Sequence, residues 1–70
     1  MNEEINQLRI NALYGLDLQF WFLIRKFLKQ FGTKTTREII SQAMERIYTD
    51  KPSFNRRIAI SRLLNAKIGL

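Results

Sequence analysis

The chain has 70 residues, with 12 lysines and arginines against six aspartates and glutamates, so its formal net charge is +6. It contains no cysteine and no histidine, which excludes disulfide bonds and removes the most common catalytic bases, nucleophiles and transition-metal ligands. We therefore predict one small, mainly α-helical domain over residues 1–70 that is not an enzyme and needs no cofactor.

The N-terminal segment, residues 2–16, fits two kinds of secondary structure. Its apolar residues recur at helical spacing, and Phe20 after the segment continues the series: Ile5, Leu8, Ala12, Leu13 and Leu16. This spacing predicts a long first helix that begins near Asn2 and runs for almost thirty residues, although Gly15 costs such a helix roughly 1 kcal/mol. Residues 8–15 also alternate between apolar and other side chains, as a half-buried strand does, and Asp17 would then cap a shorter helix. Both alternatives remain open.

The most regular pattern predicts a helical hairpin, with one helix over about 17–31 and another over about 36–49. The apolar residues of the first are Phe20, Leu23, Ile24, Phe27, Leu28 and Phe31, and those of the second are Ile39, Ile40, Ala43, Met44, Ile47 and Tyr48. Gly32 can take the left-handed conformation that ends a helix. Thr35 and Glu38 have the spacing of a capping box at the start of the next.

Five consecutive apolar residues, 20–24, cover more than one face of the first helix. One face can pack inside the domain, and the other needs a partner, because a chain of this length buries little surface by itself. We therefore predict a homodimer. The residues expected at its interface are Trp21, Phe22, Ile40 and Met44.

The C-terminal segment starts at a break around Pro52, which disfavours helix in the residue before it. Ile60, Leu63, Leu64 and Ile68 then mark one apolar face, and they predict a third helix over about 54–68. A short strand over residues 56–60 is the alternative, because β-branched residues alternate there.

Ten of the twelve basic residues fall in two windows that contain no acid. Residues 18–37 carry Arg25, Lys26, Lys29, Lys34 and Arg37, and residues 51–70 carry Lys51, Arg56, Arg57, Arg62 and Lys67. Basic faces of this kind suit the phosphate backbone of nucleic acid or anionic lipid. From the C-terminal window we predict phosphate contacts by Arg56, Arg57 and Arg62.

Three stretches resemble the ribbon-helix-helix family: RKF at 25–27, Gly32, and EIISQAMER at 38–46. The likeness covers about residues 10–48. In that family the strands of two chains pair into a ribbon that enters the DNA major groove, while the helices form the dimer core. The resemblance implies base contacts by Arg9, Asn11 and Leu13. At the start of the second helix it implies phosphate contacts by Lys34, Thr35, Thr36 and Arg37.

Three functional classes follow, in this order of preference. The first is a dimeric DNA-binding regulator, such as a repressor, that contacts duplex DNA through its basic surface. The second is a small helical interaction protein that docks on a protein partner through the aromatic face of helix 17–31. The third is a peripheral membrane binder. The longest apolar run has five residues and the N-terminus is acidic, so we expect no membrane span or signal peptide and a cytoplasmic location.

Overall fold

The computed structural model describes residues 1–70, which form three α-helices and no strand. Helix α1 spans Asn2–Tyr14, α2 spans Asp17–Thr49 and α3 spans Arg56–Gly69. The mainly α-helical class predicted from the sequence is thus confirmed, in its strand-free form. The strand alternative for residues 56–60 is wrong, since these residues belong to the first part of α3.

Helix α2 is sharply bent at Gly32. A straight helix of its 33 residues would be about 50 Å long, whereas the longest dimension of the whole molecule is 31 Å. Gly32 has φ 84° and ψ 174°, a backbone conformation that is open essentially to glycine alone. The bend divides α2 into an N-terminal arm, residues 17–31, and a C-terminal arm, residues 33–49, which form the predicted hairpin.

The C-terminal arm begins earlier than the sequence indicated. Thr33 already follows the bend, so Thr35 and Thr36 lie inside the helix and not at its start. The expected capping box of Thr35 with Glu38 is therefore absent. The positive φ of Gly32 separates the two arms without a capping box.

Replacing Gly32 by alanine should lower the free energy of unfolding by about 1–2 kcal/mol, because an L-residue is strained at this φ. No atom lies within 4 Å of the added Cβ, so steric contact contributes nothing. Gly69 is the matched control, since its Cβ also meets open space and its φ is not positive. Urea denaturation of both variants measures the difference. Equal stabilities would show that the bend tolerates an ordinary residue.

The strand predicted for residues 8–15 is wrong, because α1 continues through Tyr14. A strand would place Ile10 and Tyr14 on the same side as Leu8 and Ala12. In the structure Ile10 and Tyr14 are 43% and 67% exposed, while Leu8 and Ala12 are completely buried. The buried residues of this segment therefore recur at the helical period. The ribbon implied by the family resemblance is not supported.

The single long first helix is also wrong, since the chain leaves the helical conformation at Gly15 and Leu16. A Cβ at Gly15 would lie 2.7 Å from the carbonyl oxygen of Asn11, which is too close for any other residue without a shift of the backbone. Gln19 supports the new helix, because its Oε1 accepts a hydrogen bond from the Leu16 amide at 3.1 Å. Asp17, expected as a cap, is the first residue of α2 instead.

All three helices contribute to one hydrophobic core. The largest buried side chains include Phe20 and Phe27, both on the N-terminal arm. Helix α3 packs on this core through Ala59, Leu63 and Ala66, whose spacing places them on one face. Ile40 is completely buried and Met44 is partly buried against the same core, so two of the four residues expected at a dimer interface pack within a single chain.

Candidate nucleic-acid interface

The three residues expected to contact DNA bases do not form a common exposed surface. Arg9 makes a salt bridge of 2.8 Å with Asp50 and also donates to the side chain of Asn6. Asn11 donates to the Gln7 carbonyl within α1, at 3.0 Å. Leu13 is only 8% exposed and belongs to the core. Arg9 and Asn11 are thus engaged in contacts within the domain, and the side chain of Leu13 is not accessible to a base.

Arg62 closes the end of α1. Its Nη1 donates to the carbonyl oxygens of Ala12 at 3.2 Å and Gly15 at 2.7 Å, and its Nη2 lies 2.8 Å from a carboxylate oxygen of Asp17. The helix itself supplies no N–H donor to these carbonyls, because the last turn of a helix leaves its C=O groups unpaired. Arg62 is thereby held in a structural position between α1, α2 and α3.

Arg56 plays the same part at the end of α2. Its guanidinium donates to the Tyr48 carbonyl oxygen at 3.1 Å and lies 5.4 Å from the centre of the Tyr48 ring. Of the three arginines expected to contact phosphates from the C-terminal window, only Arg57 is exposed and free of side-chain hydrogen bonds and salt bridges.

The residues expected at the start of the second helix divide into two groups. Lys34 and Arg37 are exposed, while Thr35 is partly buried. Thr36 is completely buried and its hydroxyl has no hydrogen-bond partner. The two cations are accessible to a ligand, and the Thr36 hydroxyl is not.

Lys34 and Arg37 line a surface groove with a residue from the far end of the chain, Lys67 of α3. The groove has a volume of about 540 Å³, and every residue that lines it is polar or charged: Thr33, Lys34, Arg37, Glu38, Ser41, Gln42 and Lys67. We call these seven residues the basic groove. None of its three cations takes part in a salt bridge. Lys67 was not among the phosphate contacts expected from the sequence, although it lies in the C-terminal basic window.

A second surface lies on the N-terminal arm of α2 and the end of α3. It is a depression of about 450 Å³, and its exposed or half-buried members include Leu18, Trp21, Phe22, Arg25, Leu28 and Leu70. We call these six residues the aromatic face. Trp21 and Phe22, both expected at a dimer interface, are 42% and 57% exposed. Lys26 and Lys29 flank this face, and neither has a salt bridge.

Three of the six acids are engaged in contacts elsewhere, and Glu38 is the one acid that lines the basic groove. Asp17 and Asp50 are paired with Arg62 and Arg9, and Glu4 contacts the N-terminal amine. The cations that make no side-chain hydrogen bond or salt bridge are Arg25, Lys26, Lys29, Lys34, Arg37, Lys51, Arg57 and Lys67. All but Lys51 and Arg57 belong to the basic groove or to the N-terminal arm of α2.

No protein-family model matches this sequence, and no curated protein or solved structure is significantly similar to it. No helix of the chain is both long enough and apolar enough to cross a membrane. No three His, Cys, Asp or Glu side chains are grouped as a metal site requires. A functional assignment therefore depends on the two exposed surfaces of the chain itself.

Proposed function

We propose that the protein is a small, non-catalytic DNA-binding protein that holds the phosphate backbone of duplex DNA in its basic groove. The observation that carries this proposal is the convergence of three unpaired cations from two helices, Lys34, Arg37 and Lys67, on one polar groove. They outnumber its single acid, Glu38, so the groove is positive. Cations without a protein partner can each neutralise a phosphate and release its condensed counterion, which is the main source of affinity for duplex DNA.

The start of the C-terminal arm adds to the attraction for phosphate. A helix that begins after Gly32 has N–H groups in its first turn that lack helical acceptors, and its dipole favours negative charge at that end. Thr33 and Lys34 belong to this first turn and also line the groove. Arg25, Lys26 and Lys29 add three unpaired cations on the N-terminal arm, and no acid lies between residues 18 and 37.

The ribbon-helix-helix resemblance implied two kinds of DNA contact, to phosphates and to bases. Phosphate binding near the start of the C-terminal arm is retained, through Lys34 in its first turn and Arg37 in its second. Base contacts from an N-terminal ribbon are abandoned, because residues 8–14 are helical. Phosphate contacts position a protein on DNA without identifying the bases. We therefore expect weak preference among DNA sequences, and a role as a sequence-specific repressor would require base contacts from other residues.

The double variant Lys34→Ala/Arg37→Ala tests this function, with Lys51→Ala/Arg57→Ala as its matched control. Each variant removes one lysine and one arginine, so net charge falls equally. If the groove binds phosphates, the first variant should reduce the slope of log affinity against log salt by about 1.8, at roughly 0.9 per lost contact. The control should change the slope by much less. Fluorescence anisotropy with a labelled duplex over a series of salt concentrations measures both.

Two outcomes would contradict the proposal. Equal effects of the two variants would mean that only net charge matters and that the groove is no site. The absence of duplex binding at low salt would remove DNA as the ligand altogether. The aromatic face would then be the main functional surface, and the protein would be a helical interaction module.

We also propose that the protein is a homodimer whose two copies meet at the aromatic face. Leu18, Trp21 and Phe22 expose much of their apolar area on one side of the N-terminal arm, and soluble monomers rarely expose large contiguous apolar patches. Arg25 does not oppose self-association, because a guanidinium can stack on the aromatic ring of a second copy. A dimer would also present two basic grooves to one duplex, which raises the overall affinity without any new contact.

A further inference from the structure

The connection between α2 and α3 carries an aromatic side chain that the fold does not use. Phe54 is 95% exposed, more than any other large apolar residue of the chain. Tyr48, at the end of α2, is 55% exposed. Neither ring belongs to the hydrophobic core. Two accessible aromatic rings on the same part of the surface need an explanation outside the packing of the domain.

The two rings line a cleft of about 370 Å³ together with Ser53, Arg56, Arg57 and Ile60. Arg56 holds one wall of this cleft in place, because its guanidinium lies over the Tyr48 ring and also donates to the Tyr48 carbonyl. Phe54 also lines the cleft and makes no comparable contact.

The cleft is positive as well as aromatic. Residues 51–70 contain no acid. The nearest acid along the chain, Asp50, is occupied by Arg9 at 2.8 Å. Arg57 is exposed and unpaired, as is Lys51 in the same connection. A ligand that complements this cleft has a flat aromatic part and a negative part close to each other.

We propose that the Tyr48–Phe54 cleft binds an unpaired nucleotide of single-stranded nucleic acid. The base stacks on the exposed rings, and its phosphate contacts Arg57. Aromatic rings next to cations are the usual means of binding single strands without regard to sequence. Paired bases inside a duplex do not offer their faces in this way.

This site is separate from the basic groove. Lys34 and Tyr48 lie near opposite ends of the C-terminal arm, about 20 Å apart at 1.5 Å per residue. The inference therefore does not depend on duplex binding by the groove, and the two proposals can fail independently.

The test uses a labelled oligothymidylate of about ten nucleotides, a length within the usual range for one single-strand site. Phe54→Ala should weaken its binding about tenfold, because the loss of one stacked base typically costs between several-fold and a hundredfold. Phe54→Trp should restore binding, since it keeps an aromatic face. Ile68→Ala is the control, because Ile68 is 75% exposed and lies on α3 away from the cleft. It should leave binding unchanged.

The same variants distinguish this site from the groove. Lys51→Ala/Arg57→Ala should weaken oligothymidylate binding and spare the duplex, while Lys34→Ala/Arg37→Ala should have its main effect on the duplex. Oligouridylate in a parallel titration shows whether DNA or RNA is preferred, and tighter binding of either strand supports the proposal. Unchanged oligothymidylate binding by Phe54→Ala would overturn it. So would an effect of Phe54→Ala on binding to phosphatidylserine vesicles alone, because the ring would then serve a membrane surface.

Discussion

Replacement of Arg62 by methionine should lower the free energy of unfolding by about 2–3 kcal/mol, the usual cost of losing charged hydrogen bonds and leaving their partners unsatisfied. The carbonyls of Ala12 and Gly15 would lose their donor at the end of α1. Methionine keeps most of the apolar stem of the arginine, so the loss of packing contributes little. Chemical denaturation followed by circular dichroism measures the change.

The salt bridge between Arg62 and Asp17 should account for only a small part of this loss. The Asp17 side chain is 79% exposed, and exposed ion pairs typically contribute less than about 1 kcal/mol. Asp17→Asn should therefore be only slightly destabilising. Arg62→Lys should lie between the wild type and Arg62→Met, because an ammonium keeps the charge but cannot reach several carbonyls with one planar fork. If Asp17→Asn proved as harmful as Arg62→Met, the ion pair and not the capping of α1 would hold this junction.

Arg62 and Arg56 also show what charge pattern alone could not predict about the arginines. Both lie in an acid-free window, which predicts a surface for phosphates. Their actual partners are backbone carbonyls of α1 and α2, which the window does not contain. Gly15 is 47 residues from Arg62 in sequence. Only the packing of α3 against the end of α1 brings the donor and its acceptors together.

The hairpin could be predicted because its signals are local. The apolar residues of both arms recur at the helical period over many residues, and Gly32 interrupts them once. The positive φ of Gly32 agrees with this prediction. Its ψ of 174° lies outside the left-handed helical region. The next arm starts directly after Gly32, without a separate capping residue.

The N-terminal segment could not be assigned from its pattern, because residues 8–15 fit two periods equally well. The choice between them depends on which side chains the rest of the chain can cover. Ile5 and Leu13 are buried together with Leu8 and Ala12, and these four residues share a face only in a helix. The break at Gly15 depends in turn on a close approach to the Asn11 carbonyl, which no spacing of residue types reveals.

Only part of the basic groove could be predicted from the sequence. Lys34 and Arg37 are neighbours on one helical face and were expected to act together. Lys67 is thirty positions beyond Arg37, and its place in the groove follows from the packing of Leu63 and Ala66 into the core. The exposed aromatic face was easier to anticipate, because five successive apolar residues cannot all face inward from one helix.

The two phenylalanines on either side of Trp21 should respond to alanine in opposite ways. Phe20 is completely buried and its ring meets Trp21 edge to face at 5.4 Å between centroids. Phe20→Ala should cost about 3–5 kcal/mol, as removal of a buried aromatic ring usually does. Small domains have total stabilities near the lower end of about 5–15 kcal/mol. We therefore expect this variant to be largely unfolded at 37 °C, where mesophilic domains approach their melting temperatures.

Phe22→Ala should leave the isolated chain almost unchanged, because Phe22 is 57% exposed and surface substitutions usually stay within about 0.5 kcal/mol. Its effect should appear in the dimer instead. The melting temperature of the wild type should rise with protein concentration, since association stabilises the folded chain by mass action. In Phe22→Ala this dependence should be weaker or absent, and sedimentation should show a monomer. A wild-type melting temperature that is constant over a hundredfold dilution would exclude the homodimer. The exposed rings of Trp21 and Phe22 would then be available to a different protein partner. Large apolar side chains in contact with water are unfavourable, whichever partner would cover them.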